Sequence, residues 1–254
     1  MKKIFLLAVS ISSFIYCEGL SGVSYFQYSE DAFSLSRTYL TYKSSISDEL
    51  SFKFQTDVGR VGEDYRFTAF LKKAQLDWSV SDCMKISMGL IGMNMFNVQE
   101  KTWGNRFVEK SALDYAGWSS SADLGIGFSK SFGTISSSLL ITNGEGYKNS
   151  NVDNHQKLSL QILHGEKRLD KNSGSNVGLV YSVMLEENHP SVSGIFGGFS
   201  TDSFVAGLEY YNRGDSFFVN SDATLISLSM NYNLSDALSV YVRQDNEDPD
   251  IDID

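Results

Sequence analysis

Proline and cysteine are scarce, two of each in 254 residues, and no apolar run after Tyr16 approaches the roughly 20 residues a helix needs to cross a bilayer. Any passage through a membrane would therefore have to be made by strands, whose backbone groups satisfy one another. Basic charge is also short: 21 Lys and Arg stand against 31 Asp and Glu, and the net charge of −10 argues against a nucleic-acid partner. His155, His164 and His189 are the only histidines, and they show neither metal-ligand spacing nor a nucleophile motif with Ser and Asp. Gly125-Ile126-Gly127 falls inside an alternating strand and cradles no phosphate. No catalytic residue, metal site or cofactor is expected, and Asp57 with Asp77, the one imaginable hydrolytic pair, is explained by alternation alone.

What the chain does have begins with Lys2 and Lys3, followed by an apolar run of 13 residues from Ile4 to Tyr16. That is the form of a secretory signal peptide, too short to span. Cleavage is expected between Cys17 and Leu20, where Cys17 and Gly19 are small, so residues 1–19 are assigned to the signal and 20–254 to one exported domain. A lipid-modified N-terminus at Cys17 is the alternative, and bulky Tyr16 before it fits such a box poorly. Losing residues 1–19 removes two lysines and one glutamate, leaving 19 basic and 30 acidic residues, a net charge of −11. Cys83 is then the one cysteine left, which excludes an intramolecular disulfide and a thiolate metal centre.

The dominant pattern is alternation of apolar and polar residues, as required of a strand with lipid on one side and water on the other. In Leu50 to Val58 one face is Leu50, Phe52, Phe54, Thr56 and Val58, and the other Ser51, Lys53, Gln55 and Asp57. The same rhythm runs through Lys73 to Val80, Met84 to Leu90, Ile226 to Asn233 and Leu238 to Arg243. Three tight reversals share a form, Ser47-Asp48-Glu49, Ser81-Asp82-Cys83 and Ser235-Asp236-Ala237, in which Ser and Asp stabilise the turn locally. The spacing predicts strands near 20–28, 33–43, 49–58, 67–79, 83–91, 119–129, 134–142, 155–164, 176–185, 191–199, 203–211, 223–233 and 237–244, with even-numbered connections mostly short and odd ones mostly long. The connections at 29–32, 165–175 and 186–190 fit that scheme less well. The architecture is thus an all-β, antiparallel transmembrane β-barrel, with residues 246–254 in an outer loop. Because single-chain barrels have even strand numbers, the count of 13 predicts that the chain is C-terminally incomplete.

Alternation nominates Arg37, Lys53, Gln55, Asp57, Lys73, Gln75, Asp77, Lys85 and Arg243 as the water-facing lining. The longest connection, 92–118, contains Glu100, Lys101, Arg106, Glu109, Lys110 and Asp114, and folded inward it would narrow the bore and set a transverse field. Trp103 and Phe107 in it need something to pack against. The aspartates of the tail, Asp245, Asp248, Asp250, Asp252 and Asp254, could offer carboxylates to Ca²⁺, but they lack the spacing of a calcium loop and read as a solvated charge run.

The segments FSLSRTYLTYKSSISDELSFKFQTDVGR, AQLDWSVSDCMKISMGL and KTWGNRF resemble the Gram-negative outer-membrane porins that include the phosphate-selective group, over roughly residues 33–130. The resemblance implies a barrel of about 16 strands, an outer-membrane location, contact with outer-membrane lipid, and often a homotrimer. It also implies phosphate binding by pore-lining Arg and Lys, to which Arg37, Lys73 and Arg106 are the nearest matches, although this acidic chain shows no dense basic ladder. The function expected is passive diffusion of small hydrophilic solutes or ions. The alternatives are a plugged structural or adhesive barrel, and a soluble exported carbohydrate-binding β-sandwich with Trp103, Trp118, Tyr210 and Tyr211 as stacking platforms.

Overall fold

The computed structural model describes residues 19–29, 32–60, 66–149, 154–186, 189–214, 223–235 and 237–249. The signal-peptide assignment, apart from Gly19, and the last five residues of the acidic tail lie outside these.

Thirteen strands follow one another as a single antiparallel meander: β1 (Leu20–Ser29), β2 (Ala32–Ser45), β3 (Leu50–Arg60), β4 (Phe67–Ser81), β5 (Met84–Gly92), β6 (Ala122–Phe132), β7 (Ile135–Thr142), β8 (Lys157–Gly165), β9 (Gly174–Met184), β10 (Ser191–Ser200), β11 (Phe204–Gly214), β12 (Ala223–Ser235) and β13 (Leu238–Pro249). Every strand foreseen from alternation is present. The tail is corrected: Asn246 to Pro249 continue β13 and are not loop. The longest connection is displaced by a few residues to 93–121, and it contains two short helices, α1 (Gln99–Trp103) and α2 (Ala112–Ala116). Among the described residues β1 and β13 pair only with β2 and β12, so the sheet does not close by hydrogen bonds.

Register carries the apolar residues of separate strands into continuous rows. Leu50, Trp78, Ile86, Phe128, Leu139, Leu160 and Tyr181 lie side by side across β3 to β9. Ile162, Leu179, Ile195, Tyr210 and Ile226 do the same across β8 to β12, each between 39% and 53% exposed. The opposite row across β10 to β12 is Phe196, Glu209 and Ser227, all buried. This is the inverse of a water-soluble sheet: the outer surface is greasy and the inner one is substantially polar. At the short-turn end, Ser47 Oγ accepts the N–H groups of Glu49 (3.3 Å) and Leu50 (3.1 Å), and Ser235 Oγ accepts that of Ala237 (3.3 Å).

The sheet is rolled around segment 93–121, which touches both of its edges. Gln27 of β1 donates to the Phe107 carbonyl (3.4 Å), while Trp103 packs edge-on against Tyr241 of β13 at 5.8 Å. If the outer rows meet hydrocarbon, Ile195→Arg will lower stability in lipid vesicles by about 2–4 kcal/mol. Denaturant titration of the refolded chain will show it, and a change within about 0.5 kcal/mol would mean that this face is not in lipid.

Candidate functional site: the barrel interior

The interior has two unlike walls. On β8 to β12 the inward residues Leu163, Val180, Phe196, Tyr211 and Leu225 form one buried cluster with Met95, Phe96, Val98, Leu113 and Trp118 of segment 93–121. Glycine makes room for this packing: a Cβ on Gly207 would come within 2.8 Å of Thr102 Cγ2, and one on Gly198 would meet both Thr102 and Leu169. Polar anchors pin the same segment. Gln99 Nε2 donates to Tyr211 Oη (3.1 Å), whose hydroxyl donates to buried Glu209 (2.6 Å), and Gln161 Nε2 donates to the Asn94 carbonyl (2.5 Å). Residues 166–173, at the short-turn end, also fold inward and bury Leu169.

The other wall, β1 to β5, is charged. Register sets Arg37, Tyr39, Thr41 and Lys43 of β2 beside Gly59, Asp57, Gln55 and Lys53 of β3. Asp57, with no exposed surface, is its hub: Arg37 Nη1 donates to both carboxylate oxygens (3.0 and 2.9 Å), Tyr147 Oη donates at 2.5 Å, and Lys72 Nζ stands 3.9 Å away. Tyr147 belongs to connection 143–156, so this contact fastens a long loop to the wall. Burial, then the bond to Asp57 and the nearby Asp57 charge, holds the Tyr147 phenol far above its ordinary range. Lys148 beside it is shifted down, by burial first and then by Arg37.

A β-bulge alters the wall's chemistry. In the pairing of β3 with β4, Gln55 faces Lys73 and Thr56 faces Leu71, so Lys72 is the extra residue and the alternation changes sides there. Lys72 and Lys73 consequently both line the interior, while Leu71 is exposed. Parity along the sequence finds Lys73 and misses Lys72; the adjacent Lys-Lys pair inside an alternating strand was the available signal.

Eight of the nine nominated lining residues fall into three groups. Arg37 and Asp57 form the hub. Gln75 Nε2 donates to Asp77 (2.8 Å), which Ser87 also bonds and Lys85 approaches at 3.5 Å. Lys53, Gln55 and Lys73 stand between these groups, with no ion-pair partner among the described residues. Arg243 lies apart on β13, its guanidinium 4.8 Å from the Trp103 ring centre, bonded to the Lys110 carbonyl and paired with Asp245 (2.9 Å). Facing the charged wall, Glu100 pairs with Arg106 (3.4 Å) and Lys110 with Asp114 (3.4 Å), whereas Glu109 accepts from the Lys110 N–H (2.9 Å) and borders none of the cavities described below. Lys101 is shifted down, chiefly by burial and then by Arg168. Asp57 and Asp77 sit in separate hydrogen-bond networks. Trp103, Trp118 and Tyr211 are interior and Tyr210 is exterior, so the four aromatics share no stacking surface.

Among the described residues, three cavities border both the charged wall and segment 93–121. The first, about 340 Å³, is bordered by Arg37, Lys72, Arg106, Asp114, Tyr147 and Lys148 at the long-loop end. The second, about 230 Å³, shares Tyr39, Lys72, Arg106 and Asp114 with it. The third, about 300 Å³ and toward the short turns, shares Lys73, Asn97 and Lys101 with the second. Shared walls place the three in file along the bore.

Neither a family model nor a curated protein sequence matches the chain. Solved structures do. A mutant of the Rh. blastica porin is similar over 90% of this chain and 83% of its own, with a TM-score of 0.56 at 13% identity; a second mutant of that porin gives 0.56 over the same shares at 14%. The fold is that of a porin. At such identity the likeness reaches the porin fold and no further, so the interior's chemistry is read from this chain's own residues.

Asp57→Ala will strand the Arg37 guanidinium and release Tyr147. The expected loss is about 3–5 kcal/mol in denaturant unfolding, with faster proteolysis at 143–149; an unchanged midpoint would mean that the hub is not structural.

Proposed function

We propose that the chain is an outer-membrane pore of a Gram-negative bacterium, exported by its N-terminal signal, through which small hydrophilic solutes and ions diffuse passively. The observation that carries the reading is the file of three polar cavities inside a porin fold whose outer rows are apolar. Segment 93–121 narrows the bore, and no covalent chemistry is involved. The inward faces of β2 to β5 bear Arg37, Lys43, Lys53, Lys72, Lys73 and Lys85 against Asp57 and Asp77, so the pore favours anions, phosphate among them, although the chain as a whole is acidic.

The test is single-channel recording in planar bilayers. Stable conductance steps are expected, with a reversal potential in a KCl gradient of the sign that marks chloride over potassium. Deleting residues 99–116 will raise the step several-fold, and Lys53→Glu will move the reversal potential toward the cation side. A second reading, a plugged barrel, is favoured by the apolar packing of Leu169 and Tyr211 that fills part of the bore. Absence of steps from refolded protein would decide for it.

A further inference from the structure

The cavity toward the short turns is bordered by Lys73, Lys85, Lys101 and Lys167, and no carboxylate is in its lining. In a chain with 31 acidic and 21 basic residues that is not the arrangement expected of a random surface. The neighbouring carboxylate, Asp77, is already engaged by Gln75, Ser87 and Lys85. Among the described residues no hydrogen bond or ion pair joins the Lys73, Lys101 or Lys167 ammonium groups to a partner. Lys73 comes from the wall beside the bulge, Lys101 from α1 and Lys167 from the short-turn end, so three separate elements converge on one space. Glu100 and Asp170, whose charges also reach these lysines, are paired with Arg106 and Arg168. Ammonium groups gathered without a bonded counter-charge repel one another and lose hydration with little return, and an anion among them reverses both effects.

A fifth lysine, Lys130, holds its ammonium over the Phe132 ring, and the rest of the lining is neutral and rich in hydrogen-bonding groups, with Ser87, Asn97 and Ser138 among them. At about 300 Å³ the space lies at the lower end of small-molecule sites, roughly 300–1,000 Å³. A bare tetrahedral or planar oxyanion would occupy little of it and leave those neutral groups to water. A monosaccharide bearing one anionic group would use both. Lysine acts as a point charge without the bidentate geometry of arginine, so it accepts a carboxylate or a phosphoryl group alike. We propose that this cavity is a saturable binding station for hydroxylated anions of monosaccharide size, sugar acids or sugar phosphates. The proposal rests on the pore reading for how such a solute arrives, and names the solute class.

The full refolded chain in detergent is titrated calorimetrically with gluconate, glucose 6-phosphate, glucose and inorganic phosphate, and the same four are tested as blockers of KCl conductance. Saturable binding of gluconate, of glucose 6-phosphate or of both is expected, and which of them binds identifies the anionic group. Lys73→Gln and Lys101→Gln are each expected to weaken it by about tenfold, the loss of one charge-assisted contact, and Lys73→Arg to retain it. Glucose binding as tightly as the sugar anions would overturn the proposal. So would inorganic phosphate binding as tightly as both, or unchanged affinity in both glutamine variants. Missing conductance steps with calorimetric binding intact would defeat the pore reading and leave the station standing.

Discussion

Everything in this molecule depends on the antiparallel ladder satisfying its own backbone. Peptide groups facing hydrocarbon find no water, so each must be paired within the sheet before side chains can matter. Once the ladder exists, successive side chains fall on opposite sides, and the sequence needs only to alternate for an oily exterior and a wetter interior to follow. Two prolines in 254 residues are consistent with that demand, since each proline removes a donor.

The ladder alone does not make a site. It leaves a bore, and what the bore can do is decided by how segment 93–121 divides it. The apolar face of that segment packs on β8 to β12, against Phe196, Tyr211 and Leu225, and its charged face shares cavities with Lys72 and Lys73. One half of the interior is a packed core and the other holds the charged cavities. The long connection is therefore both a structural filler and one wall of those cavities.

Strand positions were legible because period-two alternation is a local signal; each strand could be read without knowledge of its neighbours. The lining of β2 to β5 was legible for the same reason, and Trp103 announced a packing partner by its bulk. Three things were not. The gathering of bases into one region depends on register, which puts Lys43 beside Lys53 and Gln55 beside Lys73 although the chain shows no dense basic run. The apolar inner wall is hidden because Val180 and Leu225 look like ordinary barrel residues until a loop is laid on them. Tyr147 reaches Asp57 across 90 residues of sequence, a contact with no local signature.

Lys72 has a wider consequence. A wall counted by twos contains one odd number, and the residues between Phe67 and Leu71 trade sides with no gap or loop to mark the exchange. An oily stripe on such a strand occupies odd sites at one end and even sites at the other. Removing Lys72 would let Leu71 and Lys73 alternate without a break and leave both ends facing as they do, whereas losing a paired residue elsewhere in the strand would turn one end of it inside out.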